Sequence, residues 1–298
     1  KYEQVSPVFD SDSAYAYVAK QVDFGFRIPN SKEHQLCGDY LVGKLKQFGA
    51  DVQEQKMVVT TFDGTRLNAR NIIGSYGLDK SDRILLFAHW DTRPFADNDP
   101  HPSNHSTPVL GANDGASGVG VLLEVARNIQ TETPNLGVDI IFFDAEDYGP
   151  GASHDAPDGD WWCLGSQYWA KNPHKAGYTA RFGILLDMVG APNAKFHKEV
   201  FSTRYAGDVV GKIWTTANQL GYGAFFPNKM GNAITDDHIP VNEILRIPSA
   251  DIIQYEATSN SGFGSYWHTV NDDMSAISKE TLKAVGQTVM EVLYKEEK

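Results

Sequence analysis

The sequence predicts an α/β fold in three layers, with helices on both sides of a mostly parallel, twisted central sheet. Two observations support this prediction. Short continuous apolar runs have the character of strands buried on both faces, and amphipathic stretches with helical spacing lie between them. Strands that alternate with helices along a chain are typical of a parallel sheet.

The first part of the chain is predicted to form two helices, a hairpin and a buried strand. In the second helix, apolar residues lie on one face at three-to-four spacing, and Gly49 ends it. Asp63-Gly64 is a turn signal between two segments of alternating polarity. The predicted elements are helices at 11–24 and 31–48, hairpin strands at 52–62 and 67–73, and a buried strand at 84–88.

The rest of the chain continues the alternation. A stretch rich in Gly, Pro and Asp at 149–160 is predicted to be a long loop beside a functional site. Because no repeat, low-complexity tract or linker is evident, we predict a single domain over residues 1–298, with the N-terminal helices at about 11–48 packed on it. The further predicted elements are helices at 115–128, 205–220 and 278–294, and strands at 138–143, 182–186 and 251–255.

Composition argues against several classes of function. Apolar residues make up 41% of the 298 residues, which allows a sizeable core. Acidic residues outnumber basic ones by 38 to 26, and the net charge of −12 argues against nucleic acid or an anionic membrane as the partner. No run approaches the roughly 18 apolar residues of a transmembrane segment. Cys37 and Cys163 are too few for a disulfide scaffold; two buried thiols are expected, and a single bridge stays open.

Acidic and imidazole side chains recur where the predicted strands end. A parallel sheet gathers such positions into one crevice at its carboxyl edge. Taken singly, each has a plain structural explanation: Asp114 can cap the helix that follows it, and Glu146-Asp147 can be a solvated turn. As a set they predict a metal site. Its candidate residues are His89, Asp91, Asp114, Glu146, Asp147, Asp187 and His268, with Asp236 in a later loop.

The residue types favour zinc. Three protein ligands drawn from Asp and His, with a fourth position open, are expected of a catalytic zinc, whereas oxygen ligands alone would favour magnesium or calcium. Two adjacent acids such as Glu146 and Asp147 can have different roles, because one can bind a metal while the other transfers a proton. The chain contains neither a G-x-S-x-G elbow nor an H-E-x-x-H motif.

These residues, in this order and spacing, resemble the zinc-dependent M28 peptidase clan. Within the clan the chain looks most similar to the animal-type (type II) glutaminyl cyclases, as a bacterial member. The resemblance runs from about residue 35 to the C-terminus. The segments that support it are His89-Trp90-Asp91, 111–118, 142–147, Leu164-Gly165-Ser166, 185–193, 236–240 and Trp267-His268-Thr269.

The resemblance implies an M28-like fold and an aminoacyltransferase that cyclises the N-terminal glutamine of peptides and proteins to pyroglutamate, with release of ammonia. It implies one zinc per chain, and it implies that Trp267 lies against the glutamine side chain, although a plain core tryptophan is nearly as good an explanation. The implied zinc ligands are Asp114, Asp147 and His268, and the implied proton-handling residues are Glu146, Asp187 and Asp236.

Two other functions stay open. A two-zinc aminopeptidase of the same clan would use His89 with Asp187 for a second zinc and Asp114 as the bridge. Asp236 argues for the cyclase, because by resemblance aminopeptidases place Ser there. A catalytically silent binding domain is the third possibility, and the intact Glu146 argues against it.

Two features depart from the family pattern. Position 147 is Asp where most members of the clan have Glu, so the backbone is expected to approach the metal more closely. The disulfide that the animal enzymes have near the site has no matching cysteine pair here. The resemblance, with Lys1 in place of an initiator Met, leads us to expect export to a bacterial periplasm, free or membrane-anchored on the periplasmic side, with the signal removed.

Overall fold

The computed structural model describes residues 1–298, and a six-stranded sheet runs through its centre. The strands are β1 (Asp51–Thr60), β2 (Arg66–Tyr76), β3 (Arg83–His89), β4 (Gly137–Phe143), β5 (Phe182–Asp187) and β6 (Ser249–Ile253). Their order across the sheet is β1-β2-β4-β3-β5-β6. Neighbours from β4 to β6 pair in parallel, whereas β1 with β2 and β2 with β4 are antiparallel. The predicted hairpin therefore forms one edge of the sheet.

Helices cover both faces of the sheet, which confirms the predicted three-layer α/β fold. Five of them share one face, and the short helices α4 and α6 lie on the other. The α-helices are α1 (Ser11–Asp23), α2 (Lys32–Gln47), α3 (Gly118–Thr131), α4 (Leu164–Lys171), α5 (Val200–Gln219), α6 (His238–Glu243) and α7 (Lys279–Lys295). An irregular turn at Ala112–Ser117 precedes α3, and short 3-10 turns lie at Pro102–Asn104 and Met274–Ala276.

Strand β3 shows why an apolar run without alternation was the correct strand signal. Successive side chains of a strand point to opposite faces, so a strand covered on both sides has no polar face. Leu86 lies in the core under the five-helix layer, whereas Leu85 and Phe87 pack toward Trp169 of α4 and Val241 of α6. Each face of the sheet thus has its own hydrophobic core.

Two helices were not predicted, and one begins earlier than predicted. Helices α4 and α6 have only 8 and 6 residues, too few for a helical period to appear in the sequence. Helix α5 begins at Val200 rather than 205 because the carboxylate of Glu199 accepts hydrogen bonds from the backbone N–H of Phe201 and Ser202 at 2.7 and 2.8 Å. Strand β6 lies at Ser249–Ile253, two residues before the predicted 251–255.

The structure bears on two further predictions from composition. No helix has both the length and the apolar character that crossing a bilayer requires. Cys37 and Cys163 are both buried and free, so the single bridge left open by the sequence does not form.

Helix α3 begins in contact with the sheet because residue 118 has no side chain. A Cβ at Gly118 would lie 2.2 Å from the backbone oxygen of Leu186 in β5, closer than any carbon can approach. This contact holds the N-terminal end of α3, and with it the preceding turn that contains Asp114, against the carboxyl ends of the strands.

We expect Gly118→Ala to lower the free energy of unfolding by about 1–3 kcal/mol, because the added methyl must push the helix off the sheet. The matched control is Gly43→Ala on the exposed side of α2, where a Cβ would meet nothing within 4 Å. The control should be neutral or stabilise by up to about 1 kcal/mol, since alanine favours a helix over glycine. Urea unfolding measures both, and equal effects would contradict the close approach.

Candidate metal centre

The predicted site residues lie together at the carboxyl end of the sheet. His89 and Asp187 are the last residues of β3 and β5, and Glu146 and Asp147 follow β4. Asp114 lies in the turn before α3. All the candidates are buried, including the two that follow later in the chain, Asp236 just before α6 and His268 in the loop after β6.

The three residues predicted to bind zinc converge. Nε2 of His268 lies 3.2 Å from Oδ2 of Asp114 and 3.0 Å from Oδ1 of Asp147. Burial, together with the charge of Asp114, raises the pKa of Asp147 to about 6. Burial acts in the same direction on Asp114, but hydrogen bonds with His268 and His89 lower the pKa of Asp114 below its ordinary value. Two carboxylates and an imidazole are therefore within reach of one ion.

His89 reaches the same group of acids from the end of β3. Its Nε2 lies 2.9 Å from Oδ1 of Asp114, 3.4 Å from Oδ1 of Asp187 and 3.7 Å from Oε2 of Glu146. Burial opposes protonation of the ring, but the charges of Glu146 and Asp187 raise the pKa of His89 well above its ordinary value. The residues that the resemblance assigns to a second metal thus lie in contact.

Two further acids form hydrogen bonds with the backbone segments that contain the candidate ligands. The carboxylate of Asp91 accepts hydrogen bonds from the backbone N–H of Glu146 and Asp147, both at 3.1 Å. The carboxylate of Asp272 accepts from the N–H of Asn113 at 2.7 Å and of Asp114 at 3.0 Å. Each of these acids therefore positions a candidate ligand through the main chain, as outer partners of metal ligands do.

Glu146 has the properties of a proton acceptor. Burial raises the pKa of Glu146 well above that of an ordinary carboxyl group, and the charge of His89 opposes this shift. One ligand atom each from Glu146, Asp236 and Cys163 lies within 4.8 Å of the other two, and the Cys163 thiol is 3.5 Å from Oε1 of Glu146. A carboxyl group with a raised pKa can accept and return a proton near neutral pH.

The protonation of Asp236 depends on two other buried acids, Asp251 and Asp187. Burial raises the pKa of Asp236 well above its ordinary value, and the charges of Asp251 and Asp187 add to the shift. Burial likewise raises the pKa of Asp251 well above its ordinary value, so both carboxyls favour their neutral forms. Asp187 contributes through its charge.

Aromatic rings enclose the imidazole of His268. The ring of Trp267 stacks on it with centroids 3.8 Å apart and planes 22° apart. Trp162 lies parallel to the same imidazole, with centroids 6.1 Å apart. Both tryptophans line the main cavity, so Trp267 is more than a core residue. His268 therefore has an apolar wall beside it.

Several backbone positions at this centre are strained. Ala145, Met188 and His268, each at or next to a candidate site residue, have φ values of 52°, 51° and 53°, and Cys163 has 57°. Residues with a side chain avoid this left-handed region at a cost of about 1–3 kcal/mol each. Such strain is typical of functional sites, where the backbone must aim a side chain in an otherwise unfavourable direction.

Two residues of the centre, Asp251 and Arg93, were not predicted from the sequence because they act through tertiary contacts. Asp251 lies inside the apolar strand β6, and an acid within such a run was the available signal. Arg93, which is buried, donates to the backbone oxygen of Asp147 at 3.0 Å and of Gly149 at 2.9 Å. It also forms an ion pair with Asp97 at 2.6 Å. Nothing in its local sequence marked Arg93.

The centre fits a divalent cation. Oδ2 of Asp147 and Oδ1 of Asp187 are buried oxygens that accept no hydrogen bond within the protein. Buried carboxylate oxygens are costly unless hydrogen-bonded or bound to a metal. Asp and His donors around such oxygens are suited to zinc.

Comparison with known proteins gives the chain its family. A Zn-dependent exopeptidase from Parabacteroides distasonis is 57% identical, with 98% of this chain and 100% of that one covered and a TM-score of 0.97. A glutaminyl cyclase from Bacteroides thetaiotaomicron is 56% identical, with the same coverage of 98% and 100% and a TM-score of 0.96. The aminopeptidase YwaD of Bacillus subtilis is 26% identical over 278 residues, which are 89% of this chain but 53% of that protein, so the chain spans about half the length of this relative. Because the model of peptidase family M28 matches residues 71–293, most of the sequence, the chain belongs to that family.

Proposed function

We propose that the chain is a zinc-dependent glutaminyl cyclase, an acyltransferase that converts the N-terminal glutamine of peptides and proteins into pyroglutamate. The likeness to glutaminyl cyclases inferred from the sequence is confirmed by the 56% identity with the Bacteroides thetaiotaomicron enzyme. The observation that favours this activity most is the buried Glu146 with Asp236 beside it, two carboxyls whose pKa values are raised well above the ordinary range. Such a pair can keep a proton in the site for transfer within the substrate.

Asp114, Asp147 and His268 would hold one zinc ion. Their donor atoms converge, and Oδ2 of Asp147 has no partner within the protein. A zinc ion bound there supplies Lewis-acid polarisation of the side-chain carbonyl of the substrate glutamine. Asp91 and Asp272 keep the ligand segments in place through their backbone N–H groups.

The reaction joins two ends of the same residue. The α-amine attacks the side-chain amide carbon, a C–N bond forms to close a five-membered lactam, and the bond to the amide nitrogen breaks. The protein must hold the glutamine folded so that the two groups meet, and well-oriented intramolecular reactions reach effective molarities of about 10⁵ M or more. Trp267 and Trp162, which line the cavity beside His268, offer the apolar surfaces for the side-chain methylenes.

Glu146 moves the proton that the cyclisation displaces. It accepts a proton from the attacking amine and delivers it to the departing nitrogen, which leaves as ammonia. Its raised pKa suits both steps, and a positioned group of this kind contributes about 10²–10⁴-fold to the rate. The raised pKa of Asp236, which lies within reach of Glu146, favours its neutral form and keeps neighbouring charge low while the proton moves.

The rival function is a two-zinc aminopeptidase. A specific observation favours it: Nε2 of His89 lies within 3.4 Å of Asp187 and 2.9 Å of Asp114, the residues that would hold and bridge a second zinc. One observation weighs against it: Asp236 occupies the position that resemblance assigns to Ser in aminopeptidases.

The partners that we infer are peptides and proteins with a free N-terminal glutamine. The net charge of −12 argues against nucleic acid. Localisation in a bacterial periplasm, free or anchored to the membrane facing it, stays a prediction from sequence.

We expect the purified protein to contain one zinc per chain and to release ammonia from a glutamine-initiated peptide. Metal analysis and an ammonia assay measure the two quantities. A cyclase should leave aminoacyl chromogenic substrates uncleaved. Two zinc ions per chain with cleavage of those substrates, and no ammonia from glutamine, would establish the aminopeptidase instead.

We expect Glu146→Gln to keep its zinc but to lower kcat by about 10²–10⁴-fold, because the amide cannot accept the proton. The matched control is Glu280→Gln on the exposed surface of α7, which should leave kcat unchanged. Ammonia release gives the rate and metal analysis the zinc content. Full turnover of the Glu146 variant would remove it from the mechanism.

We expect His268→Ala to lose most of its zinc affinity, because one of three protein ligands is removed. His101→Ala provides the control, since His101 is exposed and lies outside the site. Competition with a chromogenic chelator measures the affinity of both variants independently of activity. An affinity for zinc equal to that of the unmodified protein would place the metal elsewhere.

A further inference from the structure

Trp162 faces the main cavity from the loop between β4 and α4. Its ring lies parallel to the imidazole of His268, with the two planes 7° apart. The side chain is half-buried, so burial alone does not determine where the ring lies. If the ring is to serve as a fixed wall beside a folded substrate, neighbouring groups must hold it in place.

The ring of Trp162 lies directly against the backbone of Gly149. A Cβ at position 149 would be 2.1 Å from Cδ2 and 2.2 Å from Cε2 of the ring, closer than any side-chain carbon can approach. Gly149 is not among the residues with a positive φ, so the backbone angle does not call for glycine there. The missing side chain at position 149 instead makes room for the indole.

The guanidinium group of Arg93 lies over the same ring, with its central carbon 4.8 Å from the ring centroid. Arg93 is fully buried, and arginine keeps its charge in proteins. A desolvated cation over an aromatic face is attracted by the ring, and tryptophan gives the strongest contact of this kind. Arg93 and Gly149 together form what we call the tryptophan seat.

Four hydrogen bonds hold the guanidinium group of Arg93. Its Nη1 donates to the backbone oxygens of Asp147 at 3.0 Å and of Gly149 at 2.9 Å. Its Nε and Nη2 donate to the two carboxylate oxygens of Asp97 at 2.8 and 2.6 Å. Because these bonds depend on the planar fork of arginine, lysine cannot reproduce them. One side chain thus connects the backbone at the candidate ligand Asp147 to the ring of Trp162.

We propose that the tryptophan seat positions Trp162 for substrate binding, with Arg93 as a positioning residue. Arg93 does not line the cavity, so it acts through Trp162 and not by contact with the substrate. A wall that is fixed before binding loses less conformational entropy when the substrate binds. This inference rests on the proposed cyclase function and adds to it a residue that sets the affinity for substrate.

A double-mutant cycle between positions 93 and 162 tests the inference. KM and kcat are measured by ammonia release from the dipeptide amide Gln-Gly, with zinc at saturation. We expect Arg93→Lys to raise KM by about three- to tenfold and to change kcat by less than about twofold, because substrate binding is weakened while the reacting groups are untouched. Trp162→Leu should raise KM at least as much. In the double variant, Arg93→Lys should add no more than about a factor of two.

The matched control is Trp161→Leu. Trp161 lines the same cavity, but its indole N–H is held by the backbone oxygen of Pro157 at 2.7 Å, and Arg93 lies over the neighbouring ring. Arg93→Lys should raise KM by the same factor with or without Trp161→Leu. If it also raised KM by the same factor with or without Trp162→Leu, Arg93 would have a role in folding alone and the proposal would be overturned. A fall in kcat at unchanged KM would overturn it as well.

Gly149→Ala provides a second test if Arg93→Lys does not fold, which thermal unfolding shows. The added methyl must displace the ring of Trp162, yet it removes no group that is hydrogen-bonded to Arg93. KM should therefore rise when Trp162 is present but not in the Trp162→Leu background. An equal rise in both backgrounds would overturn the seat and leave the cyclase function intact. Absence of ammonia release by the unmodified protein would refute the proposed function itself.

Discussion

The structure depends on the burial of many carboxyl groups at one end of a parallel sheet. A buried carboxylate is unfavourable unless hydrogen bonds or positive charge compensate it, and this chain compensates in several ways. Asp91 and Asp272 accept hydrogen bonds from backbone N–H groups, whereas burial raises the pKa of Asp236 and of Asp251 and favours their neutral forms. The buried oxygens that remain without a hydrogen bond include Oδ2 of Asp147 and Oδ1 of Asp187, and each of these two carboxylates lies beside an imidazole, where a divalent ion is stabilising.

The fold could be predicted from the sequence where local signals and tertiary structure agree. Strands β3, β4 and β5 were recognised because burial on both faces leaves a mostly apolar run. The short helices α4 and α6 were missed, because each is held by what it packs on and not by its own periodicity. The start of α5 was misplaced because Glu199 acts as a cap, a role that Ser, Thr, Asp and Asn fill more often.

The candidate site residues that follow a strand or lie in a recognisable motif could be predicted from the sequence. The three candidate ligands could be predicted because the motifs around them occur in an order and spacing that resemble those of the M28 peptidases. The structure brings these ligands together: Asp114, Asp147 and His268. The partner of Asp236 could not be found in this way. Asp251 is a single acid in an edge strand, and only the packing of β6 beside α6 shows that it faces Asp236. Long-range pairing of this kind has no local signature.

The choice between cyclase and hydrolase depends on the nucleophile. A hydrolase must admit and activate water, whereas in cyclisation the substrate supplies its own amine and water is a competitor. The walls that Trp267 and Trp162 form beside His268 are apolar, which disfavours ordered water there. The proton taken from the amine must also be returned within the same site, and the burial of Glu146 disfavours exchange of that proton with solvent. Apolar walls and retained protons together favour attack by the substrate's own amine over attack by water.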